Sequence, residues 1–170
     1  MKDNRMEFLK ANYHAHTWRC QHAYDTEREY IEAAISMGIE IFGFSDHVPC
    51  PYQDGYVSNI RMTMKQAPEY VETIRRLEAE YRDQIKIYVG FEAEYVPEFY
   101  EEQMRMFRNL GCDYMIMGQH FLGSEENGPY TGTETEDESR IRRYVDLVIE
   151  GMQTGSYAYL AHPDLMNYQG

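Results

Sequence analysis

The sequence is poor in cysteine and lacks long apolar runs, and both shortages exclude classes of protein. The three cysteines, at positions 20, 50 and 112, form no CxxC pair. This argues against a disulfide-rich secreted scaffold and favours a reducing cytoplasm. No run approaches the roughly 18 apolar residues of a membrane span, and the first residues lack the apolar core of a signal peptide. We therefore predict a cytoplasmic protein with no membrane partner.

Positive charge is also scarce. Lysine and arginine together number 16 against 29 aspartates and glutamates, which gives a net charge of −13. Nucleic acids and anionic membranes require a basic surface, so we expect neither as a partner. A small phosphorylated substrate stays compatible with this charge, because metal ions and one or two arginines can supply a local positive site.

The chain of 170 residues alternates predicted strands with predicted helices, as expected of one α/β domain covering 1–170. The predicted strands are 9–16, 39–47, 85–95, 113–121 and 156–162. The predicted helices are 26–37, one that starts near a capping box at 63–66, 98–109 and 138–153. Such alternation predicts a parallel sheet, either open and doubly wound or closed into a barrel. No GxGxxG or GxxxxGK[ST] motif supports the open sheet.

Histidines cluster at one end of these strands. Five of the six lie at the C-terminal end of a predicted strand: His14 and His16 end the first, His47 the second, His120 the fourth and His162 the fifth. The third strand ends in Glu92 and Glu94, and His22 lies in the loop after the first strand. Barrel enzymes and open α/β sheets both place their chemistry at this edge. The distribution therefore predicts a metal site there.

The His14-Ala15-His16 segment strengthens this interpretation. Residues i and i+2 of a strand point to the same side, about 6.5 to 7 Å apart, so two imidazoles can converge on one cation. His22 is either an ordinary loop residue or a further ligand that the loop brings back over the site. Either Glu92 or Glu94 could be a ligand, with the other a solvated or supporting carboxylate.

Asp46 is the candidate catalytic residue, although it points to the opposite side of an ideal strand from His47. It either orients a ligand histidine through the second ring nitrogen or caps the following loop. Cys20 and Cys50 are interpreted as small buried residues. Histidines with a carboxylate suit zinc, iron or manganese better than calcium or magnesium, and six imidazoles are enough for two or three divalent ions.

Successive motifs then resemble one known family. NYHAHT with CQHA, GFSDHV, GFEAEY, GQH and AHPD resemble the motifs of the PHP (polymerase and histidinol phosphatase) superfamily, from Asn12 to Asp164. HxHTxxCxHA, SDHxP, the Arg61-Met62 pair and GxExxY are most similar to its histidinol phosphatases.

The resemblance implies a distorted (β/α)7 barrel with three metal ions at its C-terminal face. His14 and His16 would hold one ion, and Glu92 would bridge it to a second that His120 and His162 complete. His22 and His47 would hold the third. The implied reaction is hydrolysis of L-histidinol phosphate in histidine biosynthesis. We expect a metal-activated hydroxide to attack phosphorus directly, without a phospho-enzyme.

The family has a further Asp-x-His motif near the end of the barrel, which this sequence lacks. We therefore expect an incomplete barrel of about five strands and four helices, without its C-terminal βα units. Fewer than three bound metals, low activity and self-association through an exposed sheet edge are the corresponding expectations.

Candidate substrate-binding residues are Arg19, Arg61 and Glu94. The arginines could grip the phosphate bidentately, or they could be surface residues. Glu94 could bind the cationic groups of histidinol. Two other functions stay open. One is another phosphoesterase, such as a phosphotyrosine-protein phosphatase. The other is a metal-binding domain with no activity of its own.

Overall fold

The computed structural model describes residues 10–52 and 55–170 as one layer of parallel strands covered by helices. The strands are β1 (Ala11–Asn12), β2 (Ile41–His47), β3 (Lys86–Ala93) and β4 (Tyr114–Met117). The helices are α1 (Glu27–Ser36), α2 (Ala67–Tyr81), α3 (Pro97–Leu110) and α4 (Glu138–Gln153). Short 3-10 turns lie at Trp18–Cys20, before α1, and at Pro163–Leu165, after α4. Leu9, the predicted start of the first strand, lies outside the described residues.

The strand order resolves the choice between the two sheet architectures. All pairings are parallel, and the order β1-β2-β3-β4 follows the chain. A doubly wound sheet reverses its strand order at a switch point, whereas a barrel adds each strand beside the preceding one. The described strands therefore form the incomplete barrel that the sequence predicts.

Side chains within the lumen show how strongly this sheet curls. The Tyr114 hydroxyl of β4 donates to the Tyr13 carbonyl just after β1, at 2.8 Å. Four flat strands would place β1 and β4 about 14 Å apart, which is beyond the reach of a tyrosine. Gly43 of β2 makes room for this contact, because a Cβ there would lie 3.0 Å from Tyr114 Cζ and closer to the hydroxyl. The sheet is therefore a curled half-barrel.

Strand alternation separates the core from the lumen. Phe42 and Phe44 of β2 are buried in the hydrophobic cluster that includes Ile31 of α1 and Ile74 of α2. The intervening residues of β2 point to the lumen, and His47 is the last of them. The helices that cover the sheet thus complete the core and leave the lumen side free for polar groups.

Local signals mark the helix ends. Thr26 and Glu29 form the predicted capping box of α1. The second predicted box is different: Thr63 bonds the Gln66 side chain at 2.8 Å, but α2 begins at Ala67 without a side-chain cap. Pro68 in the first turn of α2 moves the helix start to this point, because proline fits only there.

The predicted fifth strand is shorter than expected. Residues 156–162 run beside β4, and Ala158 N donates to Met115 O at 2.8 Å. Only one parallel bridge, Met117 with Leu160, is formed. The chain leaves the sheet directly afterwards, because His162 turns into a left-handed backbone conformation. Among the described residues, no helix is both long enough and apolar enough to cross a bilayer.

Candidate metal centre

The C-terminal edge of the half-barrel carries a cavity of about 570 Å³. All six histidines and Glu92 line it, together with Ile60, Phe121, Tyr130 and Leu165. The strand register explains the convergence, since His47 of β2 lies directly opposite Glu92 of β3. Both residues occupy lumen-facing positions at the end of their strands. The seven metal ligands predicted from the sequence are therefore brought to one cavity.

Glu92 is the centre of this arrangement. Its Oε2 lies 3.3 Å from His14 Nε2, 3.2 Å from His16 Nε2 and 3.2 Å from His47 Nδ1. On the other side, its Oε1 lies 3.4 Å from His120 Nε2 and 2.7 Å from His162 Nε2. One buried carboxylate thus presents each of its oxygens to a different group of imidazoles. This is the geometry that a bridging ligand requires.

The spacing of the nitrogen and oxygen atoms fits a divalent ion. Ligands about 2.0–2.1 Å from a tetrahedral zinc stand about 3.3–3.4 Å from one another. His14 Nε2, His16 Nε2 and Glu92 Oε2 form a triangle with sides of 3.1, 3.3 and 3.2 Å. His47 Nδ1 is buried, and although Glu92 Oε2 lies 3.2 Å away, the contact lacks hydrogen-bond geometry and no other described residue bonds this nitrogen. A buried nitrogen without a hydrogen-bond partner gains one interaction when it binds a cation.

Charge within the cavity is balanced by the imidazoles. Burial raises the pKa of Glu92, but hydrogen bonds from His14, His16 and His162 outweigh burial and hold this pKa well below its ordinary range. Burial lowers the pKa of His16, whereas its contacts with Asp46, Cys20 and Glu92 raise it to about 11. A proton on His16 therefore compensates the carboxylate in the same place where a cation would do so.

Asp46 lies behind His16, outside the cavity. It is fully buried and accepts hydrogen bonds from the backbone and hydroxyl of Thr17. It also accepts a hydrogen bond from His47 N at 2.9 Å. Its Oδ1 lies 3.4 Å from His16 Nδ1. A carboxylate at this nitrogen leaves Nε2 free to act as a ligand. Both roles that the sequence left open for Asp46, orienting a histidine and capping the loop, are compatible with these contacts.

The comparisons with known proteins bear on this centre. A family model described as "PHP domain" matches residues 12–170. The chain belongs to the PHP domain family. A protein of Deinococcus radiodurans named "Probable histidinol-phosphatase" is 33% identical over 159 residues, which are 89% of this chain and 59% of that protein. The histidinol-phosphatase of Bacillus subtilis is 32% identical over 125 residues, 69% of this chain and 46% of its own length.

A solved structure has the same fold. It is the histidinol phosphate phosphatase of Lactococcus lactis, complexed with zinc, L-histidinol and phosphate. The TM-score is 0.70 at 24% identity, over 91% of this chain and 58% of that one. This PHP domain thus spans about half to three fifths of the length of the proteins it matches.

Among the described residues of the PHP domain, three groups could each hold an ion, and they differ partly from the expected sets. The groups are His14, His16 and Glu92; His47, Glu92 and His120; and His16, Cys20 and His22. The first is the expected set. The expected sets placed His47 with His22. In the structure His47 lies beside Glu92, because the strand register aligns these two residues. Cys20, interpreted from the sequence as a small buried residue, is fully buried and lies beside His16 and His22.

Glu94 and the two arginines do not line the cavity. Arg61 pairs bidentately with Glu94, at 2.9 and 3.0 Å, and Glu94 Oε1 lies 2.9 Å from His120 Nδ1. Arg19 is buried between Glu27 of α1 and Glu69 of α2. The predicted contacts of these three residues with substrate stay predictions, and each would require existing ion pairs to rearrange.

Gly118 is a site residue that the sequence reasoning missed. A Cβ at this position would lie 2.6 Å from Glu92 Cδ, 2.7 Å from His120 Cε1 and closer still to Glu92 Oε1. The GQH motif contained the signal, but a glycine two residues before a ligand has many explanations. The backbone of His162 is also strained, since its φ of 32° is rare for a residue with a side chain.

Proposed function

We propose that this PHP domain is a metal-dependent phosphomonoester hydrolase acting on L-histidinol phosphate. The observation that carries the proposal is the shared Glu92 carboxylate, with five imidazole nitrogens 2.7–3.4 Å from its two oxygens. Two or three divalent ions, zinc, iron or manganese, suit this donor set. When bound, such ions supply an activated water at neutral pH and neutralise phosphoryl oxygens.

The residues of the chain have separate tasks in this reaction. Glu92 and the cavity histidines hold the cations. Glu94 fixes His120 by a 2.9 Å contact with its Nδ1, which keeps Nε2 pointing at the cavity and raises its basicity as a ligand. Asp46 Oδ1 lies 3.4 Å from His16 Nδ1 and acts on that ring by charge rather than by a hydrogen bond.

Apolar and aromatic side chains complete the lining of the cavity. They are Ile60, Phe121, Tyr130 and Leu165, and the Phe121 and Tyr130 ring centroids are 5.7 Å apart. This wall offers a surface for the ring of an imidazole-bearing leaving group and limits the access of water to it. The names of the relatives, histidinol-phosphatases, support the same substrate.

The supporting context agrees with a cytoplasmic biosynthetic enzyme. The three cysteines are free, and the net charge of −13 disfavours nucleic acid as a partner. At the end of the sheet beyond β4, residues 156–162 form one parallel bridge, and self-association through this exposed edge stays a prediction.

Phosphate release from three substrates tests the proposal. The chain is loaded with zinc or manganese and supplied with L-histidinol phosphate, phosphotyrosine or a generic aryl phosphate. We expect the highest kcat/KM with L-histidinol phosphate and none after chelation. Preference for phosphotyrosine would support the alternative phosphoesterase, and metal binding without turnover of any substrate would refute hydrolysis by this chain.

A further inference from the structure

A buried ionic network connects three segments behind the metal centre. Glu125, in the loop after β4, accepts from Arg61 Nε at 2.7 Å. Arg61, in the loop after β2, pairs with Glu94 at the end of β3, and Glu94 contacts His120. We call this chain of contacts, Glu125–Arg61–Glu94–His120, the Glu125 network. The side chains of its first three members are at most 5% exposed.

The hydrogen bonds of Arg61 are almost fully used within the protein. Nε donates to Glu125, Nη1 donates to Glu94 and to the Val48 carbonyl at 3.1 Å, and Nη2 donates to Glu94. A guanidinium has five N–H groups, so four have acceptors in these contacts. Arg61 is therefore held in place between two carboxylates, as expected of a residue that positions others.

Glu125 anchors its own loop. Its carboxylate accepts from the Tyr52 and Tyr56 hydroxyls, both at 3.0 Å, and from Ser58 at 2.9 Å. With Arg61, four side chains of the segment after β2 bind this one group. Glu126, the next residue, is exposed. Glu125 thus attaches the loop after β4 to the segment after β2 through a buried charge.

That loop carries part of the cavity wall. Phe121 and Tyr130 form an antiparallel bridge within it, and both line the cavity. Thr131 N donates to the His120 carbonyl at 2.8 Å, which joins the base of the loop to the metal ligand. Movement at Glu125 would therefore be transmitted to the apolar wall through the loop. It would be transmitted to His120 through Arg61 and Glu94.

We propose that Arg61 and Glu125 are positioning residues: through Glu94 they fix the His120 imidazole for metal binding, and through the loop they hold Phe121 and Tyr130 against the cavity. The proposal rests on the metal centre of the proposed function, but it concerns residues that touch neither ion nor substrate. It gives Arg61 a different task from the direct contact with phosphate that the sequence suggests.

The test compares Glu125→Gln with Glu126→Gln, which removes the same charge from the exposed neighbour. Zinc affinity is measured by competition with a chelator, and backbone hydrogen exchange is followed in residues 121–131. We expect Glu125→Gln to weaken zinc binding about tenfold, as for other groups that orient a ligand histidine. Exchange in the loop should rise about tenfold because a charge-assisted hydrogen bond is lost. Glu126→Gln should match the wild type.

Wild-type zinc affinity and wild-type exchange in Glu125→Gln would overturn the proposal. If that variant does not fold, Tyr52→Phe removes one hydrogen bond from Glu125 while keeping the ring. The expected changes are then about threefold in the same directions, and their absence overturns the proposal equally. Neither readout needs turnover. A chain that binds zinc and hydrolyses nothing would thus refute the proposed function and still decide this inference.

Discussion

Substituting Gly118 by alanine should weaken metal binding, because the added methyl group would collide with Glu92 and His120. The new Cβ would lie 2.6 Å from Glu92 Cδ and 2.7 Å from His120 Cε1. Ordinary carbon contacts begin near 3.5 Å, so one of these groups must move by nearly 1 Å. Glu92 has little room, because imidazoles surround both of its oxygens.

The expected magnitude follows from these contacts. Overpacking of a rigid site costs about 1–3 kcal/mol of folding free energy, and displacement of a ligand-orienting contact weakens metal binding about 10- to 100-fold. Zinc affinity by chelator competition and thermal unfolding with and without chelator measure the two effects. Gly123→Ala is the matched control, because its nearest neighbour would lie at 3.6 Å. Gly118→Ala with wild-type zinc affinity would show that the predicted clash is absent and that Glu92 is not confined.

Three further predictions follow from the buried charges. Glu92→Gln should lower zinc stoichiometry more than Glu94→Gln, since Glu92 faces two groups of ligands and Glu94 only orients one; equal metal content in both variants would contradict this. Arg61 and His120 outweigh burial and hold the pKa of Glu94 below its ordinary value of 4.5. The metal-free protein should therefore lose stability as pH falls below about 4.5, and urea unfolding of Glu94→Gln should show a weaker dependence. Arg19→Met should reduce the free energy of unfolding by about 3 kcal/mol, because it leaves buried Glu27 unpaired; weaker inhibition by inorganic phosphate would instead support substrate binding by Arg19.

The order of strands and helices was predictable because each βα unit carries local signals, whereas the barrel architecture was implied only by the resemblance to the PHP superfamily. The capping box of α1, the apolar strands and the glycine after α3 all lie within a few residues of the element they define. The bounds of α4, Glu138–Gln153, match the predicted range. The fifth strand was overestimated, because an apolar segment does not reveal where His162 turns the chain out of the sheet.

The convergence of the histidines and Glu92 was predictable because position along a strand determines the face and edge a residue occupies. Contacts between ligands were less predictable. The sequence could not show that Arg61 pairs with Glu94 and Glu125, since these residues are 33 and 64 positions away from it. Nor could it show that Arg19 lies between two helix starts. Such partners depend on tertiary packing of loops, which periodicity does not describe.

The hydrogen bond from Tyr114 to the Tyr13 carbonyl has a consequence for the width of the metal centre. Tyr13 immediately precedes His14, and Tyr114 stands four residues before Gly118 on the strand that leads to His120. This contact across the lumen fixes the distance between the first and fourth strands. The separation of the candidate ligands on opposite walls is therefore governed by a tyrosine one layer below them, and it can be adjusted from inside the half-barrel without altering any of these candidate ligands.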